Sequence, residues 1–379
     1  MQSELRVIEI VKSLLTGEEI PDCEDLQSVF SCAQKHSLET MLYEAVKNSQ
    51  TVPEEFKKEA KKQYFIQLAQ LALQEECAKE LFALFQERGI KYLPLKGYVL
   101  RELYPKKEWR ISCDVDVFYD SSRRKEVEEI MRGLGYLEKE TGVNNTLWER
   151  GTAAVETHHA LAEQSEFGKP YYENVFARLE QKNGAEYAFN AEDFYVYYLF
   201  HAAKHFTGGG FGLRTLTDVY LYRKLVPLSE ETLNAELEKL HLKVFKDEVE
   251  KVVDACFNGA KASEDTAFLI DYIFRSGTYG QEDANAAFDV STENGEKKSR
   301  KKYLLQTIFP SYKIMKRKYP VVGKVPVLYP FAWVWRWIEV LLFRRDRIQA
   351  TLNNKKSLNE GNIRNAKRVL EITKLPLDR

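Results

Sequence analysis

The chain has 379 residues, enough for two or three domains, and 44% of them are hydrophobic and 30% charged, which excludes wholesale disorder. With 56 basic and 57 acidic residues, the net charge of −1 argues against an extended nucleic-acid-binding surface. None of the five cysteines shows C-x-x-C spacing, which argues against a zinc knuckle or disulfide framework and is typical of a reducing cytoplasm. We interpret Cys113 as a small buried residue rather than a nucleophile, because no neighbour would activate its thiolate.

The first 88 residues predict an N-terminal helical lobe. Apolar residues recur at three- and four-residue spacing from Glu4 onward. Residues 53–89 predict one long helix, with Pro53 near its start and Gly89 just past its end. Because no residue pattern in this lobe suggests chemistry, we expect residues 1–88 to serve in packing.

From Gly89 the pattern changes to short apolar runs that are typical of strands. The predicted strands are Ile90 to Leu95, Asp114 to Phe118, Asn145 to Arg150 and Ala153 to Leu161. A helix is predicted from Ser121 or Ser122 to about Leu134. The fold class is therefore predicted as α+β, with a small mixed-sheet domain at residues 89–165 embedded in a mainly helical chain.

Helical patterns return after the strands. Residues 166–288 predict a helical domain, in which Gly208 to Gly210 either break a helix or form a loop that closes over a substrate. Residues 289–302 predict a charged loop, and residues 303–379 a C-terminal helical region. Its most apolar stretch, Val321 to Phe343, contains charges and prolines, so we do not predict a transmembrane span. A buried helix is the preferred interpretation, and interfacial membrane contact of this region is the alternative.

Acidic side chains mark the second predicted strand. Alternation places Asp114 and Asp116 on one face and Val115 and Val117 toward the core. Two carboxylates held about 7 Å apart repel each other, so such a pair usually has a compensating cation. Oxygen ligands favour Mg²⁺ or Mn²⁺, with nucleotide phosphates completing the shell. Glu156, on another alternating strand, is the candidate third ligand and would allow a two-metal phosphoryl transfer.

Residues before these acids are candidates for phosphate binding. Lys96 and Gly97 lie at a strand-to-helix turn, which either offers an ammonium group and backbone N–H groups to phosphate or is an ordinary turn. Arg110 and Ser112 are candidates for direct phosphate contacts. Alternatively, Arg110 pairs with Asp114 and holds the site in the absence of metal.

Histidines contribute a second set of candidates. His158 and His159 point to opposite faces of a strand, which argues against a zinc site with Glu156 and leaves His158 a structural or acceptor-side hydrogen-bonding role. Three residues share one face of a later helix, and this face either lines the substrate cleft or pairs within a helical bundle. These residues are His201, Lys204 and His205.

Taken together, these motifs resemble a bacterial family of uncharacterised nucleotidyltransferases within the DNA polymerase β-like nucleotidyltransferase superfamily. The segments that carry the resemblance are Leu95-Lys96-Gly97, Leu103-Tyr104-Pro105, Arg110 to Val117, Glu156-Thr157-His158, His201 to His205 with Arg214 and Asp218, Phe309-Pro310-Ser311, Tyr319-Pro320 and Leu328-Tyr329-Pro330. The resemblance covers most of the chain beyond about residue 35.

The resemblance implies transfer of a nucleoside monophosphate from a nucleoside triphosphate such as ATP, with release of pyrophosphate and with metal at Asp114 and Asp116. The sequence leaves open the base and the acceptor, which is a small molecule, a protein or an RNA end. The rival interpretations are a non-catalytic nucleotide-sensing or partner-binding protein with the same fold, and a metal-dependent phosphohydrolase. We expect a cytoplasmic location.

Overall fold

The computed structural model describes residues 2–23, 25–162, 165–278, 280, 287–288, 309–343 and 359–376. The chain divides into two compact units. The first contains Met1–Lys204, Phe211–Thr278 and Lys374–Arg379, and the second contains His205–Gly210 and Tyr279–Thr373. The predicted charged loop at residues 289–302 lies outside the described residues.

Four helices open the first unit: α1 (Gln2–Thr16), α2 (Leu26–Lys35), α3 (Glu39–Val46) and α4 (Glu54–Arg88). Helix α4 is 35 residues long and begins directly after Pro53. It ends at Gly89, whose φ of 62° is a conformation that glycine adopts without steric cost. The long helix predicted between these two residues is confirmed.

A seven-stranded mixed sheet follows. Its strands are β1 (Tyr92–Pro94), β2 (Val115–Tyr119), β3 (Leu137–Thr141), β4 (Asn145–Arg150), β5 (Ala153–His158), β6 (Glu180–Asn183) and β7 (Glu186–Ala188), in the order β3-β4-β5-β2-β1-β7-β6. Strand β2 runs parallel to β5, and β1 runs parallel to β7, while the other pairs are antiparallel.

The α+β fold class predicted from the sequence is confirmed, but the sheet is larger than expected. It gains β3, β6 and β7, and it continues to Ala188, beyond the boundary expected at residue 165. Strands β3 and β6 are exposed along their whole length. They therefore lack the alternation of apolar and polar residues by which a half-buried strand is recognised.

The remaining described α-helices lie between and after the strands along the chain. In the first unit they are α5 (Gly97–Leu100), α6 (Arg124–Gly133), α7 (Gly168–Tyr172), α8 (Ala191–Thr207, whose last three residues belong to the second unit), α9 (Leu213–Leu225), α10 (Glu230–Lys239), α11 (Lys243–Phe257) and α12 (Glu264–Ser276). The second unit contains α13 (Tyr312–Lys318), α14 (Pro320–Lys324), α15 (Tyr329–Phe343) and α16 (Glu360–Thr373). None of the described helices has the length and apolar character that crossing a bilayer requires.

The two faces of the central strands differ sharply. Val115 and Val117 on β2 and Val155 on β5 are at most 1% exposed and belong to a cluster that includes Phe85 of α4 and Met131 of α6. This apolar packing fixes the register of both strands, because a one-residue slip would exchange the faces. The intervening acidic side chains must therefore point to the opposite face.

Candidate active site

The turn between β1 and α5 directs Lys96 toward β2. Lys96 has φ 40° and ψ −107°, which is a strained conformation for a residue with a Cβ atom. At Gly97 an added Cβ would lie 3.1 Å from both the Arg110 guanidinium and the Ser112 Cβ, so only glycine fits without displacing a neighbour. The Lys96 Nζ atom lies 2.7 Å from Asp116 Oδ1. The strained turn thus delivers a buried ammonium group to the acidic strand.

Parallel pairing of β2 with β5 brings Asp116 and Glu156 together as register partners. His158 lies two residues farther along β5, on the same face. Its Nε2 atom is 2.9 Å from Asp116 Oδ1 and 3.4 Å from Glu156 Oε2. The Asn145 side-chain amide donates to Glu156 Oε1. One possible ligand atom from each of Asp116, Glu156 and His158 lies within 4.8 Å of the others.

Asp114 precedes the first residue of β2 and lies at the edge of this cluster. Its backbone carbonyl accepts a hydrogen bond from the Ser112 hydroxyl at 3.1 Å. The pKa of the Asp114 carboxyl is raised to about 7: burial and the charges of Asp116 and Glu156 raise it, and Lys96 and His158 lower it. The nearby cations therefore offset only part of the burial and repulsion that disfavour the Asp114 carboxylate.

The other groups of the cluster hold opposite charges. Burial alone would raise the pKa of Asp116, but the Lys96 ammonium and the hydrogen bond from His158 hold it well below its usual range. Burial alone would lower the pKa values of Lys96 and His158, yet the neighbouring carboxylates raise both. The Lys96 ammonium and the His158 ring thus stabilise the Asp116 carboxylate between them.

Helix α8 contributes further side chains. The Tyr197 hydroxyl group and the Lys96 ammonium interact electrostatically, and Tyr197 is only 3% exposed. The His201 ring centroid lies 6.5 Å from that of Tyr197. Lys204 is exposed when the whole residue is considered. Desolvation of its amino group and the charge of Lys96 nevertheless lower its pKa, and the charge of Glu156 raises it. His205 is the first residue of the second unit.

Two predicted phosphate ligands have other contacts. Arg110 is buried and binds Asp218 in a bidentate pair, Nε to Oδ1 and Nη2 to Oδ2, each at 3.0 Å. The hydroxyl groups of Tyr104 and Tyr198 also donate to Asp218, at 2.7 and 2.8 Å. The partner of Arg110 is therefore Asp218 and not Asp114, because the guanidinium points into the α9 interface.

Ser112 is similarly turned inward. It is 8% exposed, and its hydroxyl lies 3.2 Å from Gln74 Oε1 and accepts a hydrogen bond from Arg101 at 3.2 Å. These contacts do not support a phosphate-binding role for Ser112. The prediction that Cys113 is buried is wrong: it is exposed, because it lies in the loop before β2 has begun.

A cavity of about 560 Å³ opens beyond the acidic cluster along the sheet. It begins at Phe118, two residues after Asp116 on β2 and register partner of His158. Phe118 stacks on Phe176 at 5.2 Å between centroids. The remaining lining residues are Asp120, Ser121, His159, Ala160, Leu161, Ala162, Lys169, Tyr172, Glu173, Asn174, Val175 and Ala177. Its size is that of a small-molecule site.

Residues 22–258, more than half of the chain, match a family described as uncharacterised nucleotidyltransferases. The chain belongs to this family. No curated protein matches it. Among solved structures, that of the antibiotic-resistance factor ANT(2'')-Ia is similar to this chain at 16% sequence identity. The match covers 50% of this chain and 92% of the other, and its TM-score of 0.28 is too low to establish a shared fold. The resemblance drawn from the sequence is confirmed, and the general activity is that of a nucleotidyltransferase.

The donor set of this nucleotidyltransferase fits a divalent cation. Two carboxylates and an imidazole nitrogen converge on one volume, and such mixed oxygen and nitrogen sets bind first-row divalent metals. The set differs from the predicted one, since His158 takes part and Asp114 lies beside it. His158 was recognisable from the sequence by the same alternation that paired Asp114 with Asp116, whereas Tyr197 carried no such signal.

Proposed function

We propose that the chain transfers a nucleoside monophosphate from a nucleoside triphosphate to an acceptor hydroxyl or phosphate and releases pyrophosphate. The observation that carries this proposal is the convergence of Asp116, Glu156 and His158 on one sheet face, with the Lys96 ammonium 2.7 Å from Asp116. Acids on adjacent strands beside a lysine are suited to holding a metal–triphosphate complex.

Asp116, Glu156 and His158 would hold the divalent metal, with Asp114 as an additional ligand. Bound Mg²⁺ or Mn²⁺ would supply charge neutralisation at the phosphates and activation of the acceptor oxygen. The Asn145 amide orients the Glu156 carboxylate by donating to one oxygen, which leaves the other oxygen turned toward His158. Such a second contact restricts the carboxylate to one geometry.

Lys96 and Lys204 are the candidate triphosphate ligands. The Lys96 ammonium neutralises Asp116 in the free protein and can move to a phosphate oxygen when a cation replaces it there. Lys204 interacts electrostatically with both Lys96 and Glu156, so its amino group lies near the same volume. A positive charge there would stabilise the charge that develops on the pyrophosphate leaving group. His201 and His205 remain candidates for substrate contacts.

We place the acceptor in the cavity that begins at Phe118. Alternate residues on a strand lie about 7 Å apart, so the cavity starts roughly that distance from Asp116. Its wall combines aromatic rings with polar groups, including Lys169 and Asn174, and it accommodates a small molecule or a single protein side chain. We propose a cytoplasmic location, because five cysteines without C-x-x-C spacing are typical of a reducing compartment.

Incubation of the purified protein with each α-labelled nucleoside triphosphate and Mg²⁺ or Mn²⁺ tests the proposal. A nucleotidyltransferase releases pyrophosphate and transfers label to the acceptor, whereas a phosphohydrolase releases phosphate. Glu156→Gln should abolish pyrophosphate release, and Glu140→Gln, an exposed acid on β3, should not. Tight nucleotide binding with no turnover across acceptor pools would instead support the nucleotide-sensing rival. That rival gains support from the engagement of Arg110 with Asp218, which removes one predicted phosphate ligand.

A further inference from the structure

Helix α15 in the second unit is apolar on two opposite faces. Its inner face packs Ala332 against Met315 and Val322, and Tyr329 and Trp333 adjoin that cluster. Its outer face presents four large apolar side chains at positions i, i+3, i+4 and i+7. These are Phe331, Val334, Trp335 and Ile338, which are 69%, 51%, 61% and 42% exposed. A helix with two apolar faces ordinarily buries both of them.

Helix α13 continues this outer face. Ile314, 57% exposed, and Lys318 lie four residues apart on one side of α13. Lys318 Nζ is 2.9 Å from Glu339 Oε2 on α15, and Glu339 lies one turn after Trp335. The ion pair therefore joins the exposed side of α13 to the exposed side of α15. We call these exposed apolar residues of α13 and α15, together with the exposed Val325 and Val327 of the connection, the C-terminal surface.

The segment that forms this surface is strongly basic, although the chain as a whole has a net charge of −1. Residues 309–343 contain one acid, Glu339, and that acid is paired with Lys318. Lys316 and Lys324 are exposed. The six basic residues of the segment are Lys313, Lys316, Arg317, Lys318, Lys324 and Arg336. The segment thus combines apolar side chains with an excess of positive charge.

We propose that the C-terminal surface binds the face of an anionic lipid bilayer. Tryptophan, phenylalanine and aliphatic side chains enter the boundary between headgroups and acyl chains, and lysines beside them attract anionic lipids. A second copy of the chain would bring two basic surfaces together, which like-charge repulsion opposes. Nucleic acid would match the charge but leave the apolar face in water. Of these occupants only an anionic membrane matches both properties.

The binding is peripheral, since no described helix is long and apolar enough to span a bilayer. It does not depend on the identity of the reaction, because the surface lies in the second unit and the acidic cluster in the first. Membrane attachment would hold the nucleotidyltransferase near acceptors at the lipid surface.

Flotation of the full-length protein with vesicles tests this proposal. Vesicles that contain phosphatidylglycerol should carry the protein upward, and vesicles of phosphatidylcholine alone should do so at least tenfold less. Phe331→Ser with Trp335→Ser should lower the partition coefficient at least tenfold, and so should Lys316→Glu with Lys324→Glu. Matched controls are two exposed apolar residues of α4, Phe65→Ser with Ile66→Ser, and two exposed lysines, Lys62→Glu with Lys125→Glu. Both controls should bind as the wild type does.

Several results would overturn the proposal. These are absence of flotation, equal binding to neutral and anionic vesicles, and equal loss in the control variants. Concentration-dependent self-association that the Phe331→Ser, Trp335→Ser variant abolishes, without vesicle binding by the wild type, would assign the surface to contacts between copies. Should a double variant fail to fold, quenching of wild-type tryptophan fluorescence by brominated anionic lipid decides the question: quenching supports insertion, and its absence refutes it.

Discussion

Cation binding by this nucleotidyltransferase should strengthen as pH rises through neutrality. In the metal-free protein, burial and the charge of Asp116 raise the pKa of Asp114 to about 7. A carboxyl group must lose its proton before it ligates a metal, so binding and proton release are coupled. The folded-state pKa lies above the usual value of 3.8. For Asp114 the metal-free fold therefore loses stability as pH rises from about 4 to 7, and a bound cation restores it.

The magnitude follows from the titration of this single group. A carboxyl with a pKa near 7 is ~10% ionised at pH 6 and ~90% ionised at pH 8, so ionisation of Asp114 should by itself raise the affinity for Mn²⁺ about tenfold between them. Isothermal titration calorimetry of the metal-free protein at both pH values measures this ratio. Repetition in buffers of different ionisation enthalpy should show up to about one proton from Asp114 released per Mn²⁺ at pH 6.

His158 complicates the interpretation, because its raised pKa also makes cation binding favour higher pH. The His158→Gln background removes that contribution, and Asp114→Asn in the same background should leave the affinity nearly independent of pH. Glu140→Gln, which changes an exposed acid on β3, should retain the wild-type ratio. If Asp114→Asn changes neither the affinity nor its pH dependence, Asp114 is not a ligand and its raised pKa has no role in the site.

Three further variants separate chemistry from stability. Lys204→Ala should lower turnover at least tenfold with little change in Tm. Lys204→Arg should recover only part of the lost turnover, because guanidinium and ammonium differ in shape. A lower Tm with unchanged turnover would assign Lys204 a purely structural role. Lys96→Gly should lower turnover at least tenfold. It should lower Tm less than Arg110→Ala does, because glycine relieves the φ of 40° and His158 still contacts Asp116. Unchanged turnover would exclude Lys96 from the reaction. Arg110→Ala should cost about 3–5 kcal/mol in urea unfolding, because Asp218 stays buried without a counter-charge. Arg275→Ala, which removes a surface ion pair with Asp271, should cost at most about 1 kcal/mol.

The sequence predicted those parts of the fold that local patterns encode. Helix α4 has a proline before it and a glycine after it, and β2 and β5 alternate apolar with polar residues. Strands β3 and β6 escaped prediction because they are the two edge strands and are exposed along their whole length, and β7 escaped because it has only three residues. Their pairing depends on neighbours that are remote in sequence, which no local pattern records.

The candidate site divides in the same way. Alternation placed Asp116 and Glu156 on the faces of their strands that point away from the apolar core, but only parallel pairing made them register partners. The position of Arg110 was not predictable, because its partner Asp218 lies more than a hundred residues away on α9. A lone arginine before an acidic strand fits a phosphate ligand and a buried ion pair equally well until the tertiary contact is known.

The contrast between two buried acids bears on whether the site is active. Asp218 accepts two hydrogen bonds from Arg110 and one from each of two tyrosine hydroxyls, so the fold supplies every partner that its carboxylate needs. Asp114 lies among carboxylates, and its pKa is raised rather than lowered. The fold therefore gives the buried carboxylate of Asp218 a full set of hydrogen-bond partners. Asp114, beside Asp116 and Glu156, has too little positive charge around it to offset its burial. Burial and the charge of Asp116 both disfavour the Asp114 carboxylate, and a bound cation would offset both. We therefore expect this arrangement in a site that binds a cation with its triphosphate, rather than in a cleft that holds a triphosphate with lysines alone.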